Sequence, residues 1–388
     1  MKIIWGWFLT VIALFFYSFS QIDLGLTLTT VSWWQKIQKG FQWLGWFQRP
    51  LSTKLYLLIL FFLFLFYFLI LKAVYQKKLK ERIIWRAILV TALILWLAFN
   101  AFSYDLFNYI FYGKIITYYH GNPYQQKALD FPGDPMLGFM HWTHNTYPYG
   151  PVWLLLTVPL SFLGWQKLLP TMILFKALAV VSYLGVCWFI YRILAKTNPQ
   201  KKLLGLTIFA FNPLVMIESL VSAHNDIVML AFALAAFWFL LKKNFFISWL
   251  MLFLSIGIKF ATVLFLPVFL FVTWQQHQKQ KIIWRKVWLA SFFLMVLALL
   301  LATKRSNLQP WYLLYSLPFL GLLAETKALF WPTVSFSAGL LLHYAPFLYL
   351  GHWNPPVLEI KRALNAISLF LGAFLAYFCH KGKQGLKK

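Results

Sequence analysis

Apolar runs recur along almost the whole chain, at residues 3–19, 55–75, 83–102, 152–165, 170–194, 203–220, 226–241, 245–258, 260–274, 283–302, 311–323, 327–345 and 360–379. Lipid offers no partner to a bare N–H or C=O, so only helices and closed barrels cross a bilayer, and a crossing helix needs ~20 residues. Repeated runs of this length predict an all-α, polytopic integral membrane protein, a single domain over residues 1–388. About twelve transmembrane helices are expected, the shorter runs being tilted, re-entrant or lengthened by their flanks. Composition agrees, with 61% hydrophobic and only 11% charged residues, where a soluble domain carries about 25% charged.

Charge then orients the chain. There are 35 Lys+Arg against 9 Asp+Glu, a formal net charge of +26. In a soluble protein that excess would suit nucleic acid. Here the cations sit in short links between apolar runs, at residues 72–86, 192–202, 242–243, 275–286 and 381–388. Basic short links stay in the cytoplasm, so both termini are expected there and no nucleic-acid partner is expected. The same rule places Asp105, His224, Lys259 and Arg305 together on the external face. One run resists: a full crossing by residues 152–165 would carry the 192–202 link outside, so this short, Pro159-bearing run is expected to cross only in part. Ser18-Phe19-Ser20 has the form of a cleavage site after the first run, but an uncleaved first span is the expectation among so many others. Cys187 and Cys379 lie far apart and imply neither a disulfide framework nor a metal site.

Two segments are neither spans nor simple links. In residues 31–48, Trp33, Ile37, Phe41 and Leu44 fall at helical spacing with Lys36, Gln38, Lys39 and Gln42 between them. That pattern predicts an amphipathic helix lying in the membrane interface, with Trp43, Trp46 and Phe47 as anchors. An irregular loop with belt tryptophans is the alternative. Residues 103–151 form the one long hydrophilic loop, holding Asp105, Asp130, Asp134, His120, His141 and His144 among many Tyr, Gly and Pro. Loops this long in compact proteins are usually functional. Leu106 to Tyr119 reads as a short helix along the membrane, stopped by Gly121 and an Asn122-Pro123 turn. Tyr147-Pro148-Tyr149-Gly150-Pro151 is a second rigid turn. The aromatic faces suit sugar rings, with belt anchoring as the competing role of any one of them.

Few residues in this chain can carry chemistry. Asp105 follows an apolar run at a membrane boundary, where an acid is costly and functional by default; a helix N-cap is the plain alternative. Asp130-Phe131-Pro132-Gly133-Asp134 reads as a solvated turn. His224-Asn225-Asp226 suits the cap of a helix beginning near Ile227. Lys259 lies inside an apolar run, where it must meet a phosphate or an acid or snorkel to the surface, and Glu218 is the expected ion-pair partner. Lys304-Arg305 is an external basic pair, placed to hold a phosphate or a lipid headgroup. His141 and His144 lack a third ligand, so no metal is assigned.

The order of motifs resembles the glycosyltransferases of the C superfamily, and within it the bacterial polyprenyl-phosphate-mannose-dependent mannosyltransferases. Asp105-Leu106-Phe107-Asn108-Tyr109, Gly121-Asn122-Pro123-Tyr124 and Tyr149-Gly150-Pro151-Val152-Trp153 come first. Phe211-Asn212-Pro213-Leu214 with Glu218, His224-Asn225-Asp226, Lys259-Phe260 with Leu266-Pro267, and Gln309-Pro310-Trp311-Tyr312 follow. Residues 20–54 do not match the pattern. The resemblance implies a membrane hexosyltransferase of a bacterial plasma membrane, its active site facing outward in the 103–151 loop. The donor would be a polyprenyl-phosphate sugar, most simply mannose, and the acceptor a glycolipid or lipid-linked glycan. Asp105 would be the general base. His224, Lys259, Lys304 and Arg305 would face the donor phosphate, and Asn108, Tyr109, Tyr124, Tyr149, Asp226, Trp311 and Tyr312 the substrates. The donor is already a phosphodiester on a lipid, leaving as a phosphate monoester, so the resemblance implies no cofactor or metal, and attack from the opposite face implies inversion. A secondary transporter or carrier is the rival reading, but it would usually show an internal repeat and polar groups midway through the membrane.

Overall fold

The structure is a computed structural model that describes residues 2–324 and 326–384, except the side chains of Arg305 and residues 380–384. Among the described residues every regular element is helical. In chain order these are α1 (Lys2–Phe19), α2 (Ser32–Gln42), α3 (Arg49–Tyr75), α4 (Glu81–Trp96), α5 (Asp105–Thr117), α6 (Pro151–Leu163), α7 (Leu168–Thr197), α8 (Lys202–Ala210), α9 (Pro213–Met216), α10 (Asp226–Leu241) and α11 (Phe245–Ile258). After them come α12 (Leu266–His277), α13 (Trp284–Arg305), α14 (Leu317–Leu322), α15 (Lys327–Leu342), α16 (Tyr344–Leu350) and α17 (Val357–Gln384). Seven segments among the described residues are long and apolar enough to cross a membrane. An eighth arises if Pro199–Ala210 and Pro213–Val221, bent by 58°, count as one span. This is a multi-pass membrane protein.

The run at 203–220, expected as one span, is broken because Asn212 and Pro213 stop the first helix and start another. Pro213 has no N–H to give, and the Asn212 Oδ1 accepts the Leu214 amide at 2.9 Å as a cap. A π-helical turn, Ile217–Val221, and the turn at residues 222–225 follow. Every residue from 205 to 230 is buried, so this broken segment threads the middle of the bundle.

Charge separates along the helices. At one end Lys202 pairs with Glu81 at 3.1 Å and donates to the Tyr191 hydroxyl, while Arg192, Lys196 and Lys242 lie over Trp238. These are the basic links at 72–86, 192–202 and 242–243 gathered together. Asp105, Asp226 and Lys259 lie at the opposite ends of α4, α10 and α11. Lys388 lies outside the described residues. The run at 152–165 does not disturb this arrangement. Its helix α6 lies along α5, joined by a 2.9 Å bond between Thr117 and Ser161. Eight residues into α7, Lys176 already reaches the carbonyl of Ala98, just beyond α4.

The segment 31–48 is helical over Ser32–Gln42, as expected. Gln38 and Gln42 are buried and donate to the carbonyls of Leu26 and Asp23, and Trp46 donates to that of Ile22. Trp33, Ile37, Trp43 and Phe47 are exposed. Lys36 and Lys39 are exposed as well, while Phe41 and Leu44 are partly buried, with Phe41 against Phe19, so the two glutamines and part of the apolar set hold the helix to the protein.

Candidate active site

The site is built where helices stop. After Trp96 the backbone leaves the helix, and Asp105 opens α5 as its first residue. Its side chain does not cap: it points across the bundle, with its Oδ2 3.5 Å from His224 Nδ1. The other imidazole nitrogen, Nε2, lies 3.3 Å from the Oε2 of Glu218. Both distances bring opposite charges together, yet neither contact is aligned as a hydrogen bond. The Tyr344 hydroxyl donates to the other Glu218 oxygen at 2.9 Å. Trp311 stacks flat on the His224 ring, 4.1 Å between centroids. Burial alone would strip the proton from His224, but Asp105 and Glu218 hold it there and raise its pKa to about 9. Ala223, beside it, has φ of +51°, a left-handed conformation that costs a non-glycine residue about 1 kcal/mol.

A second ion pair flanks the first. Lys259 sits in extended backbone between α11 and the 3₁₀ turn Phe260–Phe265, and its Nζ lies 2.7 Å from the Oδ1 of Asp226. Its ammonium also lies over the rings of Tyr312 and Tyr315 at 5.6 and 5.7 Å. Glu218, expected as the partner of Lys259, instead serves His224, because the π-helical turn directs it away from α11 and toward Tyr344. Asp226 is the first residue of α10 rather than its cap, and spends its charge on Lys259. Buried atoms without a hydrogen-bond partner gather in this stretch: Glu218 Oε2, the Ser219 and Ser222 hydroxyls, both His224 nitrogens, Asn225 Nδ2 and Asp226 Oδ2. Several of these polar atoms face an opposite charge rather than a hydrogen-bond partner.

The long loop supplies the walls. Tyr109 reaches Asn225 Oδ1 at 3.5 Å and packs edge-on against Tyr149 and Trp153, both at 5.2 Å. Tyr124 continues the series through Tyr147, and is itself half exposed at the rim. Gly150 is a close approach: its amide donates to Ile258 at 3.2 Å, and a Cβ there would lie 2.2 Å from the Gly257 carbonyl oxygen. The Tyr-Pro-Tyr-Gly-Pro turn is thereby fixed beside Lys259. Asn108 is buried and turns its amide back to the Tyr104 carbonyl at 3.5 Å. His141 stacks on Tyr104 at 3.9 Å.

Some expectations are corrected here. Asp134 is not in a solvated turn: it is buried, paired with Lys114, and accepts from the Tyr119 hydroxyl and the Met136 amide. Burial would raise its carboxyl, but these three donors outweigh it and hold it below the usual range. His224 is completely buried, with both nitrogens directed at carboxylates, a poor placement for a direct phosphate contact. Lys304 is exposed at the end of α13, and the side chain of Arg305 lies outside the described residues. One residue the sequence reading passed over is Lys176. It is wholly buried, with its ammonium on the carbonyls of Ala98 at 2.7 Å and Val221 at 3.1 Å. Its position within an apolar run, like that of Lys259, was the available signal. It ties together the two chain segments that lead to Asp105 and to His224.

No solved structure matches this chain. It is 25% identical over 174 residues to the alpha-(1->6)-mannopyranosyltransferase A of Corynebacterium glutamicum, a stretch covering 44% of this chain and 34% of that protein. The chain thus aligns with about a third of the length of that curated relative. The model of the N-terminal domain of the alpha-(1->6)-mannopyranosyltransferases matches residues 9–278, which take in Asp105, Lys176, Glu218, His224, Asp226 and Lys259, and the chain belongs to that family.

Proposed function

We propose that this protein is a membrane mannosyltransferase that moves mannose from a polyprenyl-phosphate donor to a glycolipid or lipid-linked glycan, on the external face of a bacterial plasma membrane and with inversion. Asp105 is the general base. It takes the proton of the acceptor hydroxyl as that oxygen attacks the anomeric carbon, while the bond from that carbon to the phosphate oxygen breaks and polyprenyl phosphate departs. Lys259, whose side chain is partly exposed, meets the negative charge that grows on the leaving group. His224 acts from behind Asp105. Three carboxylates (Asp105, Glu218, Asp226) and three cations (Lys176, His224, Lys259) make the cluster formally neutral before a donor enters. Asn108, Tyr109, Tyr124, Tyr149, Trp311 and Tyr312 shape the sugar pocket. About twelve crossings, with α4 and the short apolar helices as tilted or partial ones, and an interfacial seat for α2 belong to the same proposal.

The observation that carries it is the Asp105–His224 ion pair beside the Asp226–Lys259 pair, in a chain of mannopyranosyltransferase family. Purified protein in lipid, given radiolabelled polyprenyl-phosphate sugars and a glycolipid extract, should move label from the mannose donor into the glycolipid without added divalent metal. Movement of the intact labelled lipid across the bilayer with no transfer would replace the enzyme by a carrier. Transfer only from a nucleotide sugar would replace the donor class.

A further inference from the structure

The mechanism leaves Glu218 without a role. It is completely buried, and the π-helical turn that carries it is a geometry found frequently at functional sites. Its two oxygens divide their work, one accepting from Tyr344 at 2.9 Å and the other facing His224 at 3.3 Å. An imidazole with a carboxylate at each nitrogen answers both only when both nitrogens carry protons. Trp311 covers the face of the ring; Tyr109 from α5 reaches the neighbouring Asn225, Lys176 the Val221 carbonyl, and Lys259 pairs with Asp226. Glu218 and Asp105 are the two acids within 4 Å of its nitrogens.

A base works only while ionised. A donor phosphate arriving beside Asp105 brings a like charge, which favours protonation of the carboxylate. A cation on the side away from the donor offsets that push. Desolvation favours the neutral ring, and Asp105 and Glu218 each oppose it, so loss of the Glu218 charge weakens the hold on the imidazolium. We propose that Glu218 is a positioning residue: a buried counter-charge that holds His224 as an imidazolium, which in turn keeps Asp105 ionised when the donor is bound. This rests on Asp105 being the base of the proposed reaction.

The test is a titration of His224 by NMR in selectively labelled protein in lipid nanodiscs, assigned with His224→Gln, together with the pH profile of mannosyl transfer. Wild type should show a doubly protonated His224 at neutral pH; a neutral ring there overturns the proposal without any variant. In Glu218→Gln, which keeps the shape and loses the charge, the His224 titration should fall by about two units, and the acidic limb of kcat, which reports the base in the donor complex, should move up. Glu218→Asp, shorter but still charged, should stay within about one unit of wild type. The reverse order, with Gln harmless and Asp damaging, would assign Glu218 to packing and end the idea. The titration is read without turnover. A protein that transfers no sugar, yet shows the shift, therefore counts against the proposed function while preserving the Glu218–His224 coupling. An unmoved titration in an active enzyme counts against Glu218 alone.

Discussion

Two kinds of irregular chain meet at the site, and they are held in different ways. The long loop at 103–151 is largely self-supporting. Tyr112 donates to the carbonyls of Asn145 and Thr146, Lys114 and Tyr119 converge on Asp134, and the tyrosines lean edge-on against one another. The helix breaks at 217–225, at Lys259 and at Pro310–Tyr315 are only a few residues each, and they depend on buried charges from other helices. A loop that carries its own contacts should lose function by degrees. A break that relies on a partner should fail abruptly, since loss of either member strands a charge or a carbonyl in the core.

The largest expected effect lies where the two meet. Asp105→Asn keeps the shape but removes the proton acceptor, so turnover should fall by ~10² or more with donor binding retained. Near-normal transfer in that variant would reduce Asp105 to a structural residue. Next comes Lys176→Met, which strands the carbonyls of Ala98 and Val221. Each stranded group costs about 1–3 kcal/mol, and kcat should fall about tenfold with donor KM little changed, since the segments leading to Asp105 and His224 lose their common tie. In an Asp105→Asn background the same change should add almost nothing; independent, additive losses would show that Lys176 does not act on this pair. The smallest effect is expected within the loop. Asp134→Asn should lower the thermal midpoint and alter kcat by no more than a few-fold. Because its folded pKa is depressed, Asp134 contributes stability that is present above the ordinary carboxyl value near ~4 and lost as pH falls through its lower folded value. Acid titration of the thermal midpoint should therefore be flatter in the variant, and a collapse of activity there would erase the contrast between loop and breaks.

The class of fold was plain from the sequence because lipid leaves the backbone so few options. Motif order along the chain picked out the stretches that do meet, including Asp105, His224, Asp226, Lys259, Trp311 and Tyr312. Pairing was less legible. Lys259 and Glu218 are both ionisable groups in apolar surroundings, so the simplest guess joined them, but the shift of register made by a π-helical turn is invisible in a string of residues. Lys176 was missed for a related reason: its partners are backbone carbonyls freed by helix endings, and a sequence shows side chains rather than unpaired carbonyls. The helix after Val31 was legible in its periodicity, but the burial of Gln38 and Gln42 was not. Loop residues 130–134 have the composition of a wet turn, and only the distant Lys114 makes Asp134 a buried anchor.

The contact of Gly150 with the end of α11 also bears on how the protein is made. The loop's last turn hydrogen-bonds to Ile258 and rests on the backbone of Gly257, residues that leave the ribosome long after the loop itself. Until they arrive, the turn at Gly150 lacks this backbone support, and Tyr149 has only the loop's own Tyr109 and Tyr147 to rest on. The aromatic wall is thus anchored by a late-made helix docking onto an early-made loop, and a chain arrested before α11 would hold the wall's tyrosines without the backbone that pins their last turn.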